Sequence, residues 1–241
     1  MLAVLLAAAA AMPTPAQLPT VPRLVQDAEP VFCAGARGRS FALTFDDGPS
    51  PYTPALVRVL RRAHARASFF DVGSRIGIWP DAARSSATVG EVANHTWSHA
   101  HLPGLSAPEA RRELVEAQHA VARATGTAPR VFRPPYDEST PRIELLGRTL
   151  GLLDIRWSVD SGDSRPGASP RAVVRTVVRA LRPGAIILLH DPHASTPSVA
   201  GAVLRTAARR GLAAVTVSEL LARQPPSRRQ RGSTGAGRCP P

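Results

Sequence analysis

The chain has no lysine, so all thirty of its basic residues are arginine. Aromatic residues are scarce as well, at 5%. A nucleic-acid binder also uses arginine, but on a basic stripe with aromatics nearby. Here the arginines are scattered along stretches of helical pattern, and nucleic acid is not expected as a partner. There are only two cysteines, Cys33 and Cys239, and neither has a CxxC neighbour. That argues against a zinc–thiolate site. It leaves open two thiols near the ends or one disulfide formed in an oxidising compartment. Beyond the N-terminus no segment is long and apolar enough to span a bilayer, and no internal repeat is visible.

What is present fits one α/β domain. The length of 241 residues and the 44% hydrophobic fraction support a real core, and 20% charged residues do not suggest disorder. The formal net charge of +12 reads as a solvated basic surface or as attraction to a polyanion such as a cell wall. Residues 1–16 are expected to be a signal peptide, because a short apolar run ends in small residues, Thr14 and Ala16, ahead of Gln17. The usual basic n-region is missing. The mature protein is therefore expected to be secreted, with no stable membrane insertion, and monomeric. Residues 17–38 read as an extended arm and residues 223–241 as a disordered polar tail. The domain proper spans 39–222.

Within it, short apolar runs at 41–45, 67–72, 91–94, 131–133, 153–159, 185–190 and 213–217 alternate with helical patterns. Short continuous runs suit parallel strands buried on both faces. The helices are signposted by Ser106-Ala-Pro-Glu109, a capping box with Gly126 as its stop, and by Thr140-Pro141, Ser169-Pro170 and Thr196-Pro197 at later starts. A distorted (β/α) barrel of about seven parallel strands is expected, with a doubly wound open sheet as the alternative.

The polar residues gather at the carboxyl ends of these strands, the face that carries the active site in barrel enzymes. Asp46 and Asp47 follow the first, His95 and His99 the third, and Arg133 to Tyr136 the fourth. Asp160 and Asp163 follow the fifth, and His190 and Asp191 the sixth. Two imidazoles and a carboxylate make a divalent-metal site, with one carboxylate to spare for proton transfer. His64 and His119 lie in helical patterns and are expected to be exposed. His101 and His193 are expected to face solvent or support the site, and Trp157 to sit in the core.

Five segments in order resemble the polysaccharide deacetylases of carbohydrate esterase family 4, the NodB-homology domain. They are Thr44-Phe45-Asp46-Asp47-Gly48, His95-Thr96-Trp97-Ser98-His99, Arg133-Pro134-Pro135-Tyr136, Asp160-Ser161-Gly162-Asp163 and Leu188-Leu189-His190-Asp191. The resemblance covers residues 39–222. It implies that Asp47, His95 and His99 hold one divalent metal, most often zinc, with cobalt or nickel as alternatives. It implies Asp46 as general base, Arg133 holding Asp46, His190 as general acid and Asp163 orienting His190. Tyr136 would offer its backbone N–H to the oxyanion, and Pro135 and Leu188 would contact substrate.

Three features depart from the family pattern. Asp137 stands where glycine is common. Ser164 stands where tryptophan is usual after Asp163. The stretch Thr88-Val89-Gly90-Glu91-Val92 is one residue short of a common Gly-His-Glu pattern. The function implied is removal of N-acetyl groups from an amino-sugar glycan, peptidoglycan or chitin-like. O-deacetylation, as on xylan, and a weakly active carbohydrate-binding relic are the alternatives.

Overall fold

The computed structural model describes residues 20–231 and Cys239. The signal-peptide reading of residues 1–16 lies outside the described residues. In chain order the elements are α1 (Thr20–Asp27), β1 (Ser40–Gly48), α2 (Thr53–Arg62), β2 (Ala67–Asp71), α3 (Gly73–Ile78), α4 (Pro80–Ala87), β3 (Gly90–Asn94), α5 (Ala107–Thr125), β4 (Val131–Phe132), α6 (Pro141–Thr149), β5 (Leu153–Asp154), β6 (Val159–Asp160), α7 (Pro170–Ala180), β7 (Ile186–His190), α8 (Thr196–Arg209), β8 (Ala213–Val215) and α9 (Val217–Arg223).

The strands form one parallel sheet in the order β5-β4-β3-β2-β1-β7-β6, curled with its helices around it. β8 lies off this path, paired with the first half of β1. This is the expected distorted barrel. The run 153–159, read as one strand, is two short strands at opposite ends of the sheet. Its amides explain the split: Ile155 N–H donates to Phe132, Arg156 N–H to Val31 and Ser158 N–H to Ile186. The chain thus leaves one edge of the sheet, crosses the opening and joins the other edge.

Strand alternation sorts the two cores. On β1, Phe41, Leu43 and Phe45 face outward into a cluster with Leu56 and Leu60 of α2, Val173 and Val177 of α7, and Val203 of α8. Ala42 faces inward, with Phe70, Ala93, Val131, Leu153 and Ile186. The same inner cluster takes Val21, Leu24 and Val25 of α1 and Leu220 and Leu221 of α9, which close the bottom of the barrel. The arm read as extended therefore contains a helix. Its apolar residues at i, i+3 and i+4 bury one face, a pattern obscured by the proline-rich surroundings.

The C-terminal tail read as disordered is also ordered in part. Gln224 and Gln230 are buried. Gln224 Oε1 accepts from Ser40 N–H at 3.2 Å, and Gln230 Nε2 donates to the Ala34 carbonyl at 2.8 Å. These amides satisfy backbone groups at the start of β1 and in the arm. Cys33 and Cys239 form a disulfide across 206 residues of sequence. Closing so long a loop restricts the unfolded chain, so Cys33→Ser with Cys239→Ser is expected to cost about 2–5 kcal/mol. Thermal melts of this double variant, compared with the native chain with and without reductant, check it; equal melting temperatures would refute it.

Candidate active site

Residues inward-facing at the bottom of the barrel are apolar, and those at its mouth are polar. On β1, Thr44 and Asp46 follow Ala42 on the inward face. Asp47 would ordinarily point the other way, since successive strand residues alternate. The register of β1 against β2 shifts between Asp46 and Gly48, and Asp47 takes a left-handed φ of 64°. This irregularity turns both carboxylates to the same cavity. Thr96, His99, Tyr136 and Asp137 also have φ between 57° and 64°. Left-handed backbone is costly outside glycine and gathers at functional sites; here it gathers around one mouth.

Arg133 organises the interior. It is fully buried, and every guanidinium nitrogen is used. Nη1 donates to Asp46 Oδ1 at 2.6 Å and to Thr44 Oγ1 at 2.9 Å. Nε donates to the Ile155 carbonyl at 2.9 Å and Nη2 to that of Arg156 at 3.1 Å. The cation lies 4.1 Å from the Phe70 ring centroid and 5.3 Å from that of Trp157. Burial lowers its pKa and Asp46 opposes this; a guanidinium stays protonated regardless.

The backbone carbonyl of Arg133 accepts from His95 Nδ1 at 2.7 Å. A carbonyl only accepts, so Nδ1 carries the proton and Nε2 is left as a lone-pair donor. His99 Nδ1 meets the Tyr136 hydroxyl at 3.1 Å, which holds the orientation of its ring. The two Nε2 atoms lie 3.3 Å and 3.0 Å from Asp47 Oδ1. That oxygen is buried and accepts no hydrogen bond. Two ring nitrogens and a carboxylate oxygen thus converge on one point, an arrangement that a cation would satisfy. The N₂O donor set suits zinc, cobalt or nickel. Burial would raise the Asp47 pKa, but His95 and His99 override it and hold the carboxyl well below its usual range.

Across the cavity, His190 Nδ1 donates to Asp163 Oδ1 at 2.8 Å, and the His190 backbone N–H donates to Oδ2 at 2.7 Å. Burial pulls the imidazole pKa down, yet the Asp163 hydrogen bond and the charges of Asp163, Asp46 and Asp47 push it up to about 9. Asp163 moves the opposite way: burial raises it, and His190 holds it below the usual range.

One cavity of about 440 Å³ is lined by Asp46, Asp47, His95, His99, His190 and Leu188, among others. Tyr136 and Ser164 line it too, whereas Asp163 stands behind His190. One expectation needs correction. Pro135 is buried and does not line the cavity; its neighbour Pro134 does, because the chain turns into a single 3-10 turn at Pro135. Trp157 is half-buried: it packs against the inner core and also walls the cavity, since its segment crosses the barrel opening. An aromatic wall is therefore present although Ser164 replaces the usual tryptophan. His193 lies edge-on to His190, ring centroids 6.0 Å apart, and lines the cavity. His101 pairs with Glu138 at the rim, and His64 and His119 are exposed.

Asp137 does not project a bare charge at the mouth. It pairs with Arg156, whose Nε also binds the buried Asp154 at 2.7 Å. The Thr88–Val92 departure is structural: Gly90 lies so close to Ala67 of the adjacent strand that a Cβ would meet its carbonyl oxygen at 1.9 Å. Sequence reading missed Arg156 and Asp154, which look like ordinary strand charges. It also missed Asp71, buried and with Oδ2 unpartnered. Burial, then Asp191 and Asp46, raise its pKa well above the carboxylate range. A carboxylate ending the apolar run Ser68-Phe69-Phe70 was the available signal.

The model of the polysaccharide deacetylase family matches residues 34–153. A chitooligosaccharide deacetylase of Bradyrhizobium sp. (strain ANU 289) is 40% identical over 157 residues, covering 64% of this chain and 71% of that protein. The peptidoglycan-N-acetylglucosamine deacetylase PgdA of Listeria monocytogenes serotype 1/2a (strain 10403S) is 31% identical over 211 residues, 87% of this chain. The chain spans 42% of that protein's length. A solved family 4 carbohydrate esterase from Streptomyces lividans, in complex with acetate, matches at TM-score 0.70 and 35% identity, over 73% of this chain and 92% of that one. With the curled parallel sheet and this extent of identity, the chain belongs to the polysaccharide deacetylase family, carbohydrate esterase family 4, hydrolases of the carbon–nitrogen bond in acetylated glycans.

Proposed function

We propose that this chain is a secreted, metal-dependent N-deacetylase that releases acetate from N-acetylglucosamine units of a cell-wall or chitin-like glycan. One observation carries the reading. A carboxylate held by a buried arginine (Asp46) and an imidazole held by a carboxylate (His190) line the same cavity as the Asp47–His95–His99 cluster. Asp47, His95 and His99 would hold the metal, a donor set that suits zinc. When bound, it would supply Lewis-acid polarisation and make water more acidic.

The chain's own groups divide the remaining work. Asp46 Oδ1 is tied to Arg133, which leaves Oδ2 to take the proton of the attacking water. Water oxygen bonds to the acetyl carbon, and the carbonyl electron pair moves onto oxygen. The Tyr136 backbone N–H is the proposed donor to that oxyanion. His190, protonated at neutral pH, gives its Nε2 proton to the amide nitrogen. The carbon–nitrogen bond then breaks to acetate and the free amine. Nitrogen leaves poorly unless protonated, so this donor is essential for an amide. Leu188 and Trp157 give the acetyl group and sugar an apolar wall. The names of the relatives support amino-sugar substrates of both kinds. An ester-linked acetyl is a second reading, because a bifunctional xylanase/xylan deacetylase of Cellvibrio japonicus is 34% identical over 160 residues.

Acetate release from N-acetylglucosamine oligomers and from peptidoglycan tests the proposal. Release is expected to vanish on metal removal and return with zinc. Asp46→Asn is expected to lower kcat by about 10²–10⁴-fold, the usual worth of a positioned general base, while oligomer binding persists. Full turnover by Asp46→Asn would sink the mechanism. A pH profile separates the acid's role. His190 must be protonated, and its pKa is raised, so activity should hold below about pH 9 and fall above it. Asp163→Asn removes the negative charge that helps raise that pKa, so the alkaline limb should move to lower pH. An unmoved limb would show that His190 is not the group titrating. An acetyl ester should depend less on His190 than an amide does, since alkoxide leaves more readily.

A further inference from the structure

The outer helices carry charge unevenly. α2 (TPALVRVLRR) and α7 (PRAVVRTVVRA) contain no carboxylate, nor does α8 (TPSVAGAVLRTAAR). Together with Arg210, which follows α8, they present Arg58, Arg61, Arg62, Arg171, Arg175, Arg179, Arg205, Arg209 and Arg210, all exposed. Among the described residues none of these nine forms an ion pair. The acidic residues of the outer helices sit elsewhere: Asp81 on α4, Glu109, Glu113 and Glu116 on α5, Glu144 on α6 and Glu219 on α9. The three acid-free helices are also neighbours, since α2 and α7 both pack against α8. The result is one continuous basic face.

Its position follows from the topology. The helices run back against the parallel strands, so their C-terminal turns gather at the end of the barrel opposite the cavity. Arg61, Arg62, Arg179 and Arg209 lie in those turns. Arg210 Nη1 donates to the Val178 carbonyl at 2.7 Å, and Arg39 Nε donates to that of Gly211 at 2.9 Å. These bonds join the ends of α7 and α8 to the start of β1. Helix dipoles favour cations at these C-termini, but Arg58, Arg171, Arg175 and Arg205 lie earlier in their helices and gain little from that.

We propose that the α2–α8–α7 face binds a linear, phosphate-bearing polyanion other than a nucleic acid, holding the enzyme by its back with the catalytic mouth free. Guanidinium pairs with phosphate oxygens in a planar fork. Of the large exposed apolar side chains, Ile78, Trp79, Tyr136 and Leu145 lie off these helices, and Tyr52 caps only the N-terminus of α2, at the end away from its Arg61 and Arg62. A lipid surface would therefore find nothing to insert, and nucleobases no ring to stack on. The face is separate from the cavity, so this proposal stands or falls apart from the deacetylase reading.

Long-chain inorganic polyphosphate is the probe, titrated into the full chain over a range of salt. Binding should weaken steeply with salt through counterion release. The variant Arg175→Gln, Arg179→Gln, Arg205→Gln, Arg209→Gln should lose about three from the slope of log affinity against log salt. The control Arg111→Gln, Arg123→Gln, Arg130→Gln, Arg148→Gln removes as many charges from the other side and should keep its slope. Both should hydrolyse a soluble oligomer at the native rate. Equal losses in the two variants would reduce the effect to net charge and overturn the proposal. So would the absence of polyphosphate binding, tighter binding to duplex DNA, or binding to anionic phospholipid vesicles alone. If the quadruple variant melts early, the Arg175/Arg179 and Arg205/Arg209 pairs make the same comparison at half the expected change.

Discussion

A guanidinium and a carboxylate buried side by side under a cavity constrain almost everything around them. Removing one partner of such a pair leaves an uncompensated charge in a medium that solvates it badly, at a cost of about 3–5 kcal/mol. Arg133 joins Asp46 to Thr44 of the same strand, to the Ile155 and Arg156 carbonyls of the crossing segment and, through its own carbonyl, to His95. One residue therefore sets the orientation of Asp46 and the tautomer of His95. Well-packed apolar residues often replace a buried ion pair with no loss of stability. The pair is better understood as holding geometry than as adding stability.

The mouth is built at the expense of backbone comfort. Five non-glycine residues there occupy left-handed conformations, and four of them have a reason nearby. Asp47 must turn against strand alternation to join Asp46. His99 and Tyr136 must face one another so that the hydroxyl can meet Nδ1. Asp137 is drawn to Arg156, itself buried and shared with Asp154. The departure of Asp137 from the family's usual glycine therefore adds an ionic tie to the loop and no stray charge beside the proposed oxyanion position.

Charge is distributed with the same economy. Asp71 and Asp191 lie near Asp46, and burial raises the pKa of both. Ser50 and Thr53 hydrogen-bond Asp191 and partly offset the rise. Asp71 has no such donor at Oδ2, and burial with the neighbouring Asp191 and Asp46 carboxylates raises its pKa well above the usual range. His190 keeps its proton because three carboxylates surround it. The positive charge that dominates the composition is carried on the outer helices, away from these groups.

Much of this was legible in the linear order of residues. The apolar runs, the Ser106–Glu109 capping box and Gly126 at φ 75° mark local preferences that hold without tertiary help, and they were enough for a parallel α/β barrel. The five segments carrying Asp46, His95, Arg133, Asp163 and His190 pointed to a shared site through their place at strand ends and their resemblance, in order, to the polysaccharide deacetylases. Other features depend on partners remote in sequence. The run 153–159 divides because its amides bond to three separate segments. The helix in the arm forms because the barrel bottom needs a cover, and the tail orders because buried arm carbonyls need donors. Whether Cys33 and Cys239 pair, and whether Trp157 walls a cavity as well as packing against the core, are likewise decided by what the fold brings alongside. Residue types and local signals determined the chemistry and the class of fold. Only the tertiary structure decided which carboxylate is tied to Arg133, which is turned to His95 and His99 and which is buried with an unpartnered oxygen, because those states depend on burial and neighbours that no stretch of sequence contains.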